Sequence, residues 1–127
     1  MNGDVGDRQR DETTERIINA IIKVHKTLGP GFLESIYRNA LMLESRKQGL
    51  EVEAEKEMTV SYDGVEVGRH RLDLLVNDRV VLELKTVEEL GRAHYAQLRS
   101  YLKASGCKTG LLVNFAGEKA DFRRIDL

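Results

Sequence analysis

Cysteine is nearly absent from this sequence of 127 residues, which contains only Cys107. An intramolecular disulfide and a cysteine zinc cluster are therefore excluded. Neither sign of charge is in clear excess, because the chain has 20 Lys and Arg residues and 21 Asp and Glu residues, which gives a net charge of -1. A protein that coats nucleic acid with its whole surface is thus excluded, and any such contact needs a local basic patch. No apolar run approaches the roughly 20 residues of a membrane-spanning helix. We expect a cytoplasmic protein without membrane contact.

The composition is that of a folded globular domain. Apolar residues make up 41% of the chain and charged residues 32%, which is a typical balance for such proteins. The length allows one domain and hardly two. Residues 1–12 offer almost nothing to bury, so we expect a flexible tail there and a single domain over residues 13–127.

The spacing of apolar residues predicts the element order α-α-β-β-β-α-β, with a further short strand near residues 122–125. Thr13 or Thr14 is expected to cap the first helix, and Gly29-Pro30-Gly31, which holds the only proline, ends it. Asp63-Gly64 is a strong hairpin signal between the first two strands. The other expected bounds are residues 32–48 and 88–104 for helices, and 50–62, 65–76, 80–86 and 110–114 for strands.

The loop between the second and third strands decides which side chains share a face. A two-residue loop, Asn77-Asp78, would mix Arg79 and Glu83 with apolar residues. A three-residue loop over residues 77–79 instead produces a fully apolar face of six side chains. Each mispaired large side chain would forfeit about 1.5–3 kcal/mol of burial, so we favour this second register. Its apolar face consists of Leu72, Leu74, Val76, Val80, Leu82 and Leu84.

In that register two carboxylates lie opposite each other. Asp73 faces Glu83 across the strands, and Lys85 follows on the same face. Opposed carboxylates repel, and proteins keep such a pair where a divalent cation lies between them. The three residues therefore suit metal-assisted hydrolysis of a phosphodiester. An ordinary cross-strand ion network is the alternative, and the spacing alone favours it.

These residues resemble the signature of the PD-(D/E)xK nuclease superfamily, in which Asp73 is followed after nine residues by Glu83-Leu84-Lys85. The resemblance covers about residues 15–125. It implies a mixed α/β (α+β) domain with a restriction-endonuclease-like αβββαβ core, in which helices flank a mixed central sheet and one extra helix precedes it. The residue before Asp73 is Leu72, where the superfamily often has proline.

Two further motifs strengthen the resemblance. Upstream, Gly31, Glu34 and Tyr37 match the pattern of the small bacterial GxxExxY proteins, a branch of the superfamily. Downstream, Gln97 and Tyr101 are similar to the QxxxY element of RecB-like nucleases. Each motif alone is weak, but their order along the chain agrees with one fold.

The resemblance implies catalytic roles for the matching residues. Asp73, Glu83 and the backbone carbonyl of Leu84 would bind Mg²⁺ or Mn²⁺. Glu34 would complete the site as a further ligand or through a bound water. Lys85 would position the attacking water and stabilise the developing negative charge.

Substrate contacts are expected on the third helix. Gln97 and Tyr101 lie one turn apart and share a face, and the resemblance implies that they orient the site or contact a substrate phosphate. Arg92, Arg99 and Lys103 project from one side of the same helix, where a phosphate-binding patch and a solvated face are equal alternatives. Cations elsewhere that would add to such a patch are Arg69, Arg71, Arg123 and Arg124.

Four ring-bearing residues have more ordinary interpretations. Tyr37 and His25 lie among apolar residues of their helices, so we expect both in the core. His94 shares the face of Gln97, where it either faces the site or is structural. His70 either contacts a phosphate or marks an exposed strand end.

The leading hypothesis is a nuclease that cleaves DNA with Mg²⁺ or Mn²⁺, and the alternative is a catalytically inactive module that binds nucleic acid or a protein. A complete set of Asp73, Glu83 and Lys85 favours catalysis. We also expect a two-fold homodimer, because two copies would cut both strands of a duplex. Candidate interface residues, which lie off the main apolar stripes, are Met42, Tyr95 and Leu102.

Overall fold

A five-stranded sheet with helices on both of its faces makes up the structure, a computed structural model that describes the backbone of residues 4–127 and the side chains of residues 12–127. The element order, including the short last strand, confirms the sequence-based prediction. The elements are α1 (Asp4–Leu28), α2 (Glu34–Lys47), β1 (Val52–Tyr62), β2 (Val65–Val76), β3 (Val80–Lys85), α3 (Arg92–Ser105), β4 (Thr109–Asn114) and β5 (Asp121–Asp126).

The strands lie in the order β1-β2-β3-β4-β5, and only β3 and β4 are parallel. Parallel neighbours need a crossover, and α3 supplies it. The carboxyl ends of β3 and β4 therefore lie side by side, with Lys85 paired with Asn114. Among the described residues, no helix has the length and apolar character needed to cross a membrane.

Helix α1 begins earlier than the capping pattern predicts. It starts at Asp4, so the predicted start near Thr13 or Thr14 is wrong. Both threonines are buried inside the helix, and the Thr13 hydroxyl accepts a hydrogen bond from Arg79 Nη2 at 2.9 Å. Packing thus outweighs their preference for a cap. Residues 1–3 lie outside the described part of the chain, and the division into a tail and a domain stays a prediction.

Helix α3 begins later than predicted, at Arg92 and not at residue 88. The N–H of its cap residue, Gly91, donates to His94 Nδ1 at 2.9 Å. Upstream, the Asn114 side chain donates to the carbonyl of Val87 at 2.7 Å and accepts from its N–H at 3.1 Å. These bonds hold the segment between β3 and α3 as a loop.

The three-residue loop between β2 and β3 is confirmed. Val76 pairs with Val80, and Leu75 and Leu74 pair with the next two residues of β3. The side chains of Leu74, Val76, Val80, Leu82 and Leu84 lie in one buried cluster with α1 and α2. The hydrophobic argument therefore selects the correct register.

Leu72 departs from the predicted apolar face. It packs in the second buried cluster, beneath α3, with Leu98 and Leu102. The pairs between β2 and β3 run only as far as Leu74 with Leu82, and at the next position the Asp73 carboxylate, not its backbone, binds β3. The strands thus separate at Asp73, so alternation along β2 does not extend across this point.

Tyr37 is a core residue, as predicted. Its side chain is fully buried, and its ring stacks on Phe115 with the centroids 4.4 Å apart. Its hydroxyl donates to the Gly29 carbonyl and accepts from the Phe32 N–H at 3.3 Å. The ring and the hydroxyl together fix the turn between α1 and α2, in which Gly31 has φ +104°, a conformation that glycine adopts readily.

We expect Tyr37→Phe to lower the free energy of unfolding by about 1–3 kcal/mol, because the substitution leaves two backbone groups of the turn without their partner. Urea denaturation followed by circular dichroism measures the loss. Tyr95→Phe is the matched control, since the described residues offer its hydroxyl no hydrogen bond. Equal stability of the two variants would contradict the role assigned to the Tyr37 hydroxyl.

Of the three interface residues expected for a homodimer, one is in the core and two are partly buried. Leu102 is only 1% exposed, and both Met42 and Tyr95 pack against the buried clusters. A residue beside the main apolar stripe of a helix is expected to be exposed. Here the sides of the helices also pack against the buried clusters. Leu102 is therefore wrong as an interface candidate, and the roles of Met42 and Tyr95 and the homodimer itself stay predictions.

Candidate active site

Asp73 and Glu83 meet where β2 and β3 separate. Asp73 Oδ2 accepts a hydrogen bond from the N–H of Leu84 at 2.8 Å. The Glu83 side chain is almost fully buried, with the residue 4% exposed. Its Oε1 atom has no hydrogen-bond partner within the described residues. A buried carboxylate oxygen without a partner is costly, and it marks a position where a ligand would restore the missing interaction.

Burial, followed by the negative charge of Asp73 and hydrogen bonding with it, raises the pKa of the Glu83 carboxyl from its ordinary 4.5 to about 9, and Lys85 partly offsets the rise. Glu83 is therefore protonated at neutral pH when no cation is bound. Two carboxyl groups that share one proton behave in this way because both cannot ionise at short distance.

Lys85 joins the pair of carboxyl groups to α3. Its Nζ atom lies 3.8 Å from Glu83 Oε2 and donates to Gln97 Oε1 at 2.9 Å. Tyr101, one turn along α3, is buried. Burial, followed by the charges of Glu83 and Asp73, raises the pKa of the Tyr101 hydroxyl. A hydrogen bond with Gln97 lowers this pKa and partly offsets the rise. The Tyr101 phenol therefore stays neutral and able to donate.

Five residues predicted from the sequence thus lie together, namely Asp73, Glu83, Lys85, Gln97 and Tyr101. Glu34 has no described contact with Asp73 or Glu83, and its Oε2 atom accepts from Thr86 Oγ1 at 3.5 Å. Within the described residues, no group of three or more acidic, histidine or cysteine side chains converges as a metal site. A ligand role for Glu34, and for the carbonyl of Leu84, stays a prediction.

The GxxExxY motif has a simple geometric basis in this chain. Gly31 provides the turn with positive φ, and Tyr37 fastens that turn from inside the core. Glu34 is the first residue of α2 and contacts Thr86, the residue after Lys85. The motif therefore places a carboxylate next to the end of β3.

Arg92 and Arg99 lie away from the carboxyl groups. Both are exposed, and no described contact joins either one to the site. Arg99 follows Gln97 by two positions, which turns it about 200° around the helix. On the β1–β2 hairpin, Arg69 and Arg71 form ion pairs with Glu57, so they add little to a phosphate-binding patch. Substrate contacts by Arg92 and Arg99 stay predictions.

The three histidines have separate roles. His25 is buried and donates to the carbonyl of Gly117 at 2.8 Å, which confirms it as a core residue. His94 accepts the hydrogen bond of Gly91 at the start of α3 and is therefore structural. His70 contacts the site, since its ring centroid lies 4.4 Å from that of Tyr101 and its Nε2 atom 3.3 Å from Ser100 Oγ.

The sequence-based reasoning missed Asn114 and Thr86. Asn114 is buried at the end of β4, where its side chain holds the loop after Lys85 through Val87. A polar residue that ends a buried apolar strand is the signal that would have found it. Thr86 carries no such signal, because its bond to Glu34 depends on how α2 lies against the sheet.

A divalent cation fits this site. Magnesium is commonly held by one or two carboxylates, with waters and substrate phosphate oxygens completing its shell. Asp73 and Glu83 supply two carboxylates, and the unpartnered Glu83 Oε1 is free to act as a ligand. Bound positive charge would also remove the repulsion that keeps Glu83 protonated.

A mixed sheet between helices, with paired carboxyl groups and a lysine where two strands separate, defines a restriction-endonuclease-like fold. The sequence matches the PD-(D/E)XK nuclease superfamily over residues 11–125. The chain belongs to that superfamily.

One similar solved structure is that of SSO0001, with a TM-score of 0.59 and 23% sequence identity. The match covers 72% of this chain and 48% of that one, so this chain spans about half the length of that protein. At this identity the likeness concerns the fold alone. No curated protein matches the sequence significantly.

Proposed function

We propose that this protein is a divalent-metal-dependent nuclease of the cytoplasm that hydrolyses phosphodiester bonds of DNA. Membership of the superfamily supports nuclease activity. The observation that carries the proposal is the buried Glu83 carboxyl, opposed to Asp73, with an oxygen that finds no partner among the described residues. In a merely structural ion network this oxygen would be a cost without compensation, whereas a bound cation would supply its partner.

Each residue of the site has a task in this proposal. Asp73 and Glu83 would hold Mg²⁺ or Mn²⁺, which supplies Lewis-acid stabilisation of charge on the phosphate. Lys85, fixed by Gln97, orients the attacking water and stabilises the charge that develops on the phosphate oxygens. Tyr101, kept neutral, donates a hydrogen bond towards these oxygens or the carboxylates. Water adds to phosphorus, and the bond from phosphorus to the sugar oxygen breaks.

Calorimetric titration with Mn²⁺ tests the metal site directly. We expect the wild-type protein to release heat on binding and Asp73→Asn to lose at least about tenfold in affinity, because one ligand charge is gone. Asp63→Asn, in the exposed turn between β1 and β2, is the matched control. Equal binding by wild type and Asp73→Asn would contradict the metal site.

A cleavage panel separates the nuclease from an inactive binding module. Duplex, single-stranded and branched DNA, and RNA, are incubated with Mg²⁺ or Mn²⁺. Cleavage that requires the cation supports the proposal. Metal binding without cleavage of any member would instead identify a module that only binds.

A further inference from the structure

An exposed apolar group lies at the start of α2. Phe32 is 42% exposed, Leu33 71% and Ile36 39%. Such residues are expensive to leave in water when they lie together. Glu34, which contacts Thr86 at the end of β3, lies within the same turn. The group therefore adjoins the proposed active site.

The Phe32 ring is held in place although it is exposed. Its backbone N–H donates to the Tyr37 hydroxyl at 3.3 Å, and its ring meets that of Tyr37 edge to face, at 88° with centroids 6.1 Å apart. Tyr37 is itself fixed in the core. The exposed part of the Phe32 ring is thus presented in one orientation, with little conformational freedom to lose on binding.

A short series of contacts connects this ring to the lysine of the site. Tyr37 stacks on Phe115, and the N–H of Phe115 donates to the carbonyl of Lys85 at 3.0 Å. Thr86, the residue after Lys85, also contacts Glu34, so the start of α2 and the Phe32 ring lie near the end of β3.

We propose that Phe32 and Leu33 form a platform on which an unpaired nucleobase of the substrate stacks. The inference rests on the proposed function and extends it, because it assigns single-stranded nucleic acid, or the unpaired part of a duplex, as the substrate. Bases stack on exposed aromatic side chains regardless of their identity. A base within a duplex is stacked on its neighbours and leaves no face for Phe32.

A nucleobase fits this group better than a protein does. A stable protein interface buries roughly 800 Å² on each partner. Three side chains, interrupted by the charged Glu34, fall well below that area. One base, by contrast, has about the size of the Phe32 ring. The contact of Glu34 with Thr86, the residue after Lys85, also favours the substrate.

The absence of tryptophan from the chain allows a direct test. Phe32→Trp introduces a single tryptophan, and Lys85→Ala in the same chain prevents cleavage during the measurement. With Mg²⁺ present, we expect single-stranded DNA to quench the tryptophan fluorescence, and a duplex with blunt ends to quench it much less. A parallel titration with single-stranded RNA shows whether the site distinguishes ribose from deoxyribose. Leu43→Trp, in the same background and exposed on α2, is the control and should not respond.

Affinity gives an independent measurement. The anisotropy of a labelled single strand should show that Phe32→Ala weakens binding by about 5- to 150-fold, which corresponds to the loss of one stacked base. An oligonucleotide with an abasic position at the stacked nucleotide should bind both chains alike.

Three outcomes would overturn the platform. The first is binding of a single strand without quenching, and the second is no binding of unpaired nucleic acid at all. The third is a spectrum that changes with protein concentration alone, together with a dimeric mass, which would assign the surface to a second copy. Metal-dependent cleavage by the wild-type protein is measured separately, so the nuclease function is tested independently of the platform.

Discussion

Replacing Lys85, Asp73 or Glu83 by alanine is expected to lower the rate of nucleic acid cleavage by at least about 100-fold while the fold persists. Loss of one preorganised charge or of one acid–base group at a reaction centre typically has effects of this size. The fold should persist because the substitutions leave every member of the two buried apolar clusters in place. Single-turnover cleavage at saturating Mg²⁺ measures the rate, and circular dichroism measures the fold.

The control for Lys85→Ala is Lys119→Ala, which removes an exposed lysine between β4 and β5. It has the same change in charge and should retain the full rate. Wild-type cleavage by any one of the three site variants, purified free of other nucleases, would remove that residue from the catalytic assignment. A loss of rate that parallels a loss of helical signal would show a structural effect instead.

The centre of the site could be predicted because it follows from local alternation. Once burial fixes the pairing of Val76 with Val80, the register predicts Asp73 near Glu83, although at Asp73 the side chain and not the backbone contacts β3. The positions of Gln97 and Tyr101 were less certain. Their contact with Lys85 depends on how α3 lies across the sheet, which only the resemblance to a known fold supplied.

Other features depend on contacts between residues distant in sequence, and these could not be predicted. Leu72 changes clusters because a side chain replaces the backbone pairing at Asp73. Arg71 lies near the site in sequence, but its charge is paired with Glu57 on the neighbouring strand. Thr13 resembles a cap, yet Arg79 binds it inside a longer helix. Each outcome was decided by a partner that local patterns do not specify.

Replacing Glu83 by glutamine should stabilise the protein when no metal is bound, increasingly so as the pH rises. The folded-state pKa of Glu83 is raised to about 9 from an ordinary value of 4.5. Between these values the folded protein binds one more proton than the unfolded chain does, so the free energy of unfolding falls as the pH rises. Glutamine has no proton to lose, and its amide still donates to Asp73. The free energy of unfolding of the variant therefore does not fall in this way as the pH rises.

Thermal unfolding in EDTA, from about pH 5 to about pH 9, measures the effect. The melting temperature of Glu83→Gln minus that of the wild type should grow with pH and reach at least about 5 °C near the upper end. Glu118→Gln, an exposed residue between β4 and β5, should show no such trend. Added Mn²⁺ should raise the melting temperature of the wild type far more than that of Glu83→Gln, because binding to the folded state stabilises it. A difference that does not vary with pH would show that Glu83 is already ionised in the metal-free protein.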